Sequence, residues 1–101
     1  MFDISGKSAL VLGATGSFGS AAARTLAGLG CDMTIADIHP EKLEALSLEL
    51  RADGARVASA AGLPDSEENA GRIVAAAVAA YGALDLMFVA TGLNDVGYIE
   101  E

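Results

Sequence analysis

Ser8-Ala-Leu-Val-Leu-Gly-Ala-Thr-Gly-Ser-Phe-Gly19 decides the fold. Its first five residues, Ser8 to Leu12, are a short apolar run of the kind that forms a strand buried on both faces of a parallel sheet. Glycines follow at 13, 16 and 19. From Ser17 to Leu29 small residues and Leu26 fall on helical spacing, and Gly30 supplies the stop expected just past a helix. A strand that runs through glycines into a helix opens a βαβ unit, and the rest of the chain repeats that unit.

Working outward, Met33-Thr-Ile-Ala-Asp37 is a second apolar strand that closes on an acid. Pro40 then sits where a first helical turn tolerates it. The helix it starts carries Leu43, Leu46 and Leu50 on one stripe and Glu41, Glu44, Glu49 and Arg51 off it, and Gly54 ends it. Arg56 to Ala60 is a weaker third strand. After Leu63-Pro64, the cluster Asp65-Ser66-Glu67-Glu68 offers capping oxygens and first-turn acids for a third helix. That helix runs to Tyr81, with Ile73, Val74, Ala77, Val78 and Tyr81 as its apolar face and Gly82 as its terminator. Leu84 to Ala90 is a fourth strand, leading into the turn-rich Thr91-Gly-Leu-Asn-Asp95.

This alternation predicts an α/β fold, a doubly wound parallel sheet of four strands in the order 3-2-1-4 with three helices and right-handed crossovers. Ligands of such sheets bind beyond the carboxyl ends of the strands, where the strand order reverses between the first and fourth. That places a site around Gly13 to Gly19, Asp37, Gly62 and Ala90 to Gly92. In the loop Gly13-Ala-Thr-Gly-Ser-Phe-Gly19, missing side chains let the backbone approach a pyrophosphate, and the helix N-terminus attracts its charge. Asp37, eighteen residues beyond Gly19, stands where a carboxylate can accept hydrogen bonds from an adenosine ribose. The alternative is that the glycines only permit tight strand-to-helix packing and that Asp37 caps the helix before Pro40. A free carboxylate repels a ribose 2′-phosphate, no Arg or Lys lies within four residues before Asp37, and Lys42 is five residues after it. NAD is therefore expected ahead of NADP.

The 101 residues are 52% hydrophobic and 20% charged, which describes one folded domain, residues 1–101, and excludes intrinsic disorder. Fourteen acidic against six basic side chains give a net charge of -8, which repels nucleic acid and anionic membrane surfaces. A single cysteine, Cys31, allows neither an intrachain disulfide nor a cysteine metal cluster. The N-terminus lacks the charged-then-apolar plan of a secretion signal, and no apolar run is long enough to span a bilayer. The expected location is cytoplasmic.

In these same stretches the sequence resembles the N-terminal, NAD(P)-binding half of the short-chain dehydrogenase/reductases. Asp3 to Gly13 looks like the family's opening, Ile35 to Leu43 like its second strand and following helix, and Leu84 to Gly92 like its fourth strand with the closing Asn-Ala-Gly motif. The resemblance implies a half-length Rossmann-like fold, and a cofactor site made of Gly13, Thr15, Gly16, Ser17, Phe18, Gly19, Asp37, Ile38, Gly62, Leu63, Ala90, Thr91 and Gly92. The chain also departs from the family. Leu12 stands where the common members have Thr, and Ser17 stands at the second glycine position. The resulting Gly-x-x-Gly-x-x-Gly spacing resembles the extended or atypical branches. Gly62 and Leu63 replace an adenine-contacting Asp, and Val89-Ala-Thr-Gly92 keeps only the glycine of Asn-Asn-Ala-Gly.

The family's hydride chemistry uses an Asn, a Ser, a Tyr and a Lys that follow the fourth strand. Neither Tyr81 nor Tyr98 is followed by Lys four residues on, so no catalytic residue is carried over. Of the other candidates, His39 reads as an exposed turn residue or as lining the adenine end of a cofactor, without a second ligand for a metal. Cys31 reads as a small packed residue rather than as a nucleophile. Thr91, Asn94 and Asp95 are either turn residues or neighbours of a nicotinamide. Three functions fit: an oxidoreductase with a non-standard or partner-supplied proton donor, a dinucleotide-binding module without turnover, and a truncated dehydrogenase fragment. A fourth strand left as an open edge, with the third helix alone on its side of the sheet, further predicts a homodimer or higher oligomer.

Overall fold

The computed structural model describes residues 5–62, 67–90 and 98–100, with residues 67 and 98–100 described by their backbone alone. Along the chain the elements are β1 (Ser8–Leu12), α1 (Ser17–Gly28), β2 (Asp32–Asp37), α2 (Pro40–Ala52), β3 (Val57–Ala61), α3 (Glu67–Tyr81), β4 (Leu86–Val89) and β5 (Tyr98–Glu100). They build one sheet in the order β3-β2-β1-β4-β5. The first four strands are parallel, with Leu10 level with Thr34 on one side and Met87 on the other. The four parallel strands, their order and the three helices are those the sequence predicts.

Two features differ. β5 is absent from the sequence reading: it runs antiparallel to β4, pairing Val89 with Tyr98 and Met87 with Glu100. Three residues are too few to display a strand's alternation, so nothing in Tyr98-Ile-Glu100 distinguishes it from a turn. Its presence removes the open edge expected at β4. β4 itself is shorter than the expected Leu84 to Ala90, because Asp85 is spent on entering the sheet. Its backbone N–H donates to the Ser8 carbonyl at 2.9 Å and its carboxylate accepts from the Ser8 N–H, also at 2.9 Å.

Every residue of β1 is buried, as expected of a strand covered on both faces. Alternation sends Ala9 and Val11 with Met33 and Ile35 to one side, where Ala23 of α1 and Leu43, Leu46 and Leu50 of α2 cover them. Leu10, Leu12, Ala36 and Ala60 face the other way, against Ile73 and Ala77 of α3. The predicted stripe of α2 is thus buried in full. Of the predicted face of α3, Val78 is exposed, while Tyr81 reaches to the start of β2 and donates its hydroxyl to the Met33 carbonyl at 2.9 Å. Arg56 lies over that ring, 5.0 Å from its centre. At the opposite end of the sheet the strands end together, and the rest of the architecture serves to hold them there.

Candidate functional site

The turn after β1 is tied to the end of β2: the N–H groups of Gly13 and Ala14 both donate to the Ala36 carbonyl, at 2.9 and 3.1 Å. Gly62 donates to the Asp37 carbonyl and Ala90 to the Leu12 carbonyl, each at 2.9 Å. Gly13, Asp37, Gly62 and Ala90, from four different strand ends, are thereby brought to one edge of the sheet. That edge is where open parallel sheets take their ligands.

The three glycines of the loop have three different reasons to be glycine. Gly13 has φ +73°, in the left-handed region that side chains disfavour. A Cβ on Gly19 would lie 2.0 Å from the Gly13 carbonyl oxygen, so helix and loop touch only because it is absent. Gly16 has an ordinary φ of -76°, and its nearest neighbour to an added Cβ is the Gly13 oxygen at 3.6 Å. The protein's own packing therefore does not require glycine at position 16.

Gly16 is also the N-cap of α1, and having no side chain it leaves the first turn uncapped. That turn contains no acid, whereas the first turn of α2 has Glu41. The first N–H groups of a helix have no partner inside it and carry the positive end of its dipole, so the start of α1, without a side-chain cap or a first-turn acid among the described residues, favours an anion. Ser17 and Phe18 lie in this turn, both exposed, and the Ser20 hydroxyl donates back to the Ser17 carbonyl at 3.3 Å. These features fit a pyrophosphate.

Asp37 is 6% exposed. One carboxylate oxygen, Oδ2, accepts from the Thr15 N–H at 2.9 Å and from the Thr15 hydroxyl at 2.6 Å, and Oδ1 accepts from the Ile38 N–H at 2.6 Å. Burial pushes its pKa up, but the hydrogen bonds from Thr15 and Ile38, with the nearby His39, outweigh this and hold it below the ordinary carboxylate value. The group is an anion held against the loop at Thr15. It does not cap α2, whose N-cap is His39 without a side-chain bond. Ile38 projects beside it, half exposed.

Gly62 has φ +133° and is covered by a side chain the sequence reading does not name. Arg72 of α3 donates from Nη2 to the Ala61 carbonyl at 2.8 Å, and an added Cβ on Gly62 would lie 2.6 Å from that nitrogen. No sequence signal marks Arg72, because an arginine in the second turn of an amphipathic helix is an ordinary surface residue. The bond between Thr15 and Asp37 is likewise unforeseen, although both residues are named for the site. Leu63, Thr91 and Gly92, with Asn94 and Asp95, lie outside the described residues.

Beside Thr15, a cleft of about 230 Å³ opens between α1 and α2, lined by Ser20, Arg24, Lys42 and Glu49 among others. Arg24 is committed to Glu49, with nitrogen–oxygen distances of 2.6 and 3.1 Å. Among the described residues no three His, Cys, Asp or Glu side chains are grouped to hold a metal. Cys31 is buried, and burial, with Asp32 and Asp85 nearby, pushes its thiol pKa up, away from nucleophile chemistry. His39 is exposed, as expected of a turn residue. No described helix is long and apolar enough to cross a membrane.

Residues 7–101 match the family model described as short chain dehydrogenase. An uncharacterised oxidoreductase of Mycobacterium tuberculosis is 41% identical over 100 residues, which are 99% of this chain and 36% of that protein. Among solved structures, a short-chain dehydrogenase/reductase from Burkholderia phymatum in complex with NAD superposes with a TM-score of 0.82 at 32% identity, over 86% of this chain and 31% of its own. A metagenomic short-chain oxidoreductase in complex with NADP gives 0.77 at 30%, over 85% and 39%. The chain thus spans about a third of the length of the proteins it matches.

Proposed function

The chain belongs to the short-chain dehydrogenase family, and from that membership we propose that it is an NAD(P)-binding oxidoreductase domain with NAD ahead of NADP. The observation that carries the reading is the uncapped, acid-free start of α1 beside the ionised Asp37. Gly13, Gly16, Ser17, Phe18 and Gly19 hold the pyrophosphate at the helix N-terminus. Thr15 and Asp37 take the adenosine ribose, and Ile38, Gly62 and Leu63 flank the adenine. Ala90, Thr91 and Gly92 border the nicotinamide side. The bound nicotinamide supplies hydride transfer, and these residues only bind and orient it. No proton donor is assigned: Tyr81 has Asp85 rather than Lys four residues on.

The relatives bound to NAD and to NADP support a nicotinamide dinucleotide without separating the two. The preference for NAD rests on Asp37, whose charge repels a 2′-phosphate. Residues 1–101 act in this reading as one dinucleotide-binding domain, assembled as a homodimer or larger and located in the cytoplasm, where a single cysteine suits a reducing compartment.

Titration calorimetry with each cofactor tests the reading: NAD is expected to bind more tightly than NADP, and binding of neither refutes it. A second reading, binding without turnover or a fragment of a longer dehydrogenase, is favoured by the one-third coverage of the relatives. Following cofactor absorbance with a panel of alcohols, aldehydes and ketones separates the two. Oxidation or reduction supports the oxidoreductase, and tight binding with no turnover supports the module.

A further inference from the structure

We propose that Thr15 is a specificity-determining residue, whose hydroxyl, by donating its only proton to Asp37, turns the ribose end of the site into a surface of hydrogen-bond acceptors. The inference rests on the dinucleotide reading above and concerns which form of the ribose is admitted.

The argument is a count of protons and lone pairs. A threonine hydroxyl has one proton to give and two lone pairs. The Thr15 hydroxyl stands 2.6 Å from Asp37 Oδ2, and that oxygen belongs to an anion that can only accept, so the proton lies on this bond. What the hydroxyl still presents is its lone pairs. A carboxylate has about four acceptor positions. In Asp37, three are filled by the Thr15 N–H, the Thr15 hydroxyl and the Ile38 N–H, which leaves one on Oδ1. Asp37 and Thr15 together therefore offer acceptors and no donor.

An unmodified ribose brings two hydroxyl protons, and both find acceptors on this surface. A 2′-phosphate replaces one of those donors with oxygens that only accept and adds about two negative charges. It meets acceptors and an anion, and the desolvated polar groups are left unpaired. Asp37 alone would exclude the phosphate by charge. Thr15 adds a second exclusion by proton count, since a hydroxyl free to rotate would turn its proton toward a phosphate oxygen. The nearby cleft makes that second exclusion necessary: Lys42 lines it together with Thr15 and is a cation that a phosphate could use. Arg24, on the same cleft, is held by Glu49.

The test measures affinities for NAD and NADP by calorimetry on the wild-type chain, Thr15→Val and Thr15→Ser at one ionic strength. Valine keeps the shape and removes the hydroxyl, whereas serine keeps the hydroxyl. The ratio of the two affinities is the readout, because a general loosening of the loop weakens both ligands alike. Thr15→Val is expected to lower the preference for NAD by roughly tenfold, the scale of one hydrogen bond to a charged group, and Thr15→Ser to keep it within about threefold. Thr15→Ala serves in place of Thr15→Val should the latter fail to fold by circular dichroism. A wild-type preference for NADP, or an unchanged ratio in the variant lacking the hydroxyl, overturns the inference and leaves the dinucleotide reading standing. Binding of neither cofactor to the wild-type chain removes both.

Discussion

Gly16 and Gly19 look alike in sequence and differ in what holds them. A Cβ on Gly19 would overlap the Gly13 carbonyl at 2.0 Å, so Gly19→Ala must displace α1 or the loop. It is expected to cost about 2–3 kcal/mol, as overpacking does, read as a lower midpoint in urea. Gly16→Ala meets nothing closer than 3.6 Å and is expected to cost under about 1 kcal/mol, the difference between glycine and alanine at an N-cap. Cofactor affinity should separate the two in the other direction, with Gly16→Ala losing binding while staying folded. Asp37 has its own signature in pH. Its pKa is held below the ordinary value in the folded chain, so its contribution is present above the unfolded carboxylate range, near about pH 4, and is lost as pH falls through the lower folded value. Asp37→Asn should cost about 1–3 kcal/mol at about pH 7 and flatten the acid side of a plot of stability against pH. An acid limb identical to wild type would assign that stability to other carboxylates. Thr15 and Asp37 are both visible in the sequence, but the bond between them is not, because the two meet through the fold and not through spacing.

At the scale of the elements, the sheet contains a defect that the sequence hides. Thr34 sits in the middle of β2, 0% exposed, and its hydroxyl has no hydrogen-bond partner among the described residues. By alternation it lies on the α3 side with Ala36. Threonine is a good strand former, so its presence in Met33-Thr-Ile-Ala-Asp37 reads as propensity rather than cost. A buried unmatched hydroxyl is expensive, and Thr34→Val removes it at nearly constant shape. The variant is expected to be more stable by about 1 kcal/mol, seen as a rise in thermal midpoint; a fall would mean that the hydroxyl has a partner in solution, such as an ordered water. The strands and helices that carry period were legible in the sequence: β1 and β2 from their apolar runs, α2 from Leu43, Leu46 and Leu50, and α1 from its glycine entry and Gly30 exit. What was illegible lacks period. β5 is too short to alternate, and the start of β4 depends on Asp85 reaching Ser8 across the sheet. Arg72 reaches the site from a helix whose pattern describes only its buried side.

For the whole molecule the question is what covers β4. β5 completes its hydrogen bonding, so the argument from an open strand edge fails. The faces are a different matter. α3 lies across β1, β2 and β3, and among the described residues only its near side reaches the flank of β4, where Met87 and Val89 pack against the cluster of Ile73 and Ala77. Met87 and Val89 are consequently only partly buried, and with Leu12, Ala70, Ile73 and Val74 they line an entirely apolar groove of about 220 Å³. On the opposite face Phe88 joins Phe18, Ala22, Thr25 and Leu26 around a groove of about 320 Å³, where Phe18 is 59% exposed. Two apolar grooves flanking one strand, as the described residues leave them, are surface of the kind that marks an interaction site, and a net charge of -8 does not forbid contact between faces that carry none of it. Association through one of these faces is therefore expected, and light scattering at micromolar concentration should give a mass at least twice the 10.1 kDa of one chain. Thr25→Glu places a charge in the groove beside α1 and Ala70→Glu in the groove beside α3. Whichever of the two returns the mass to that of a monomer identifies the contacting face, since burying an unpaired carboxylate there would cost several kcal/mol. A wild-type chain already monomeric at that concentration would show that the grooves are tolerated open.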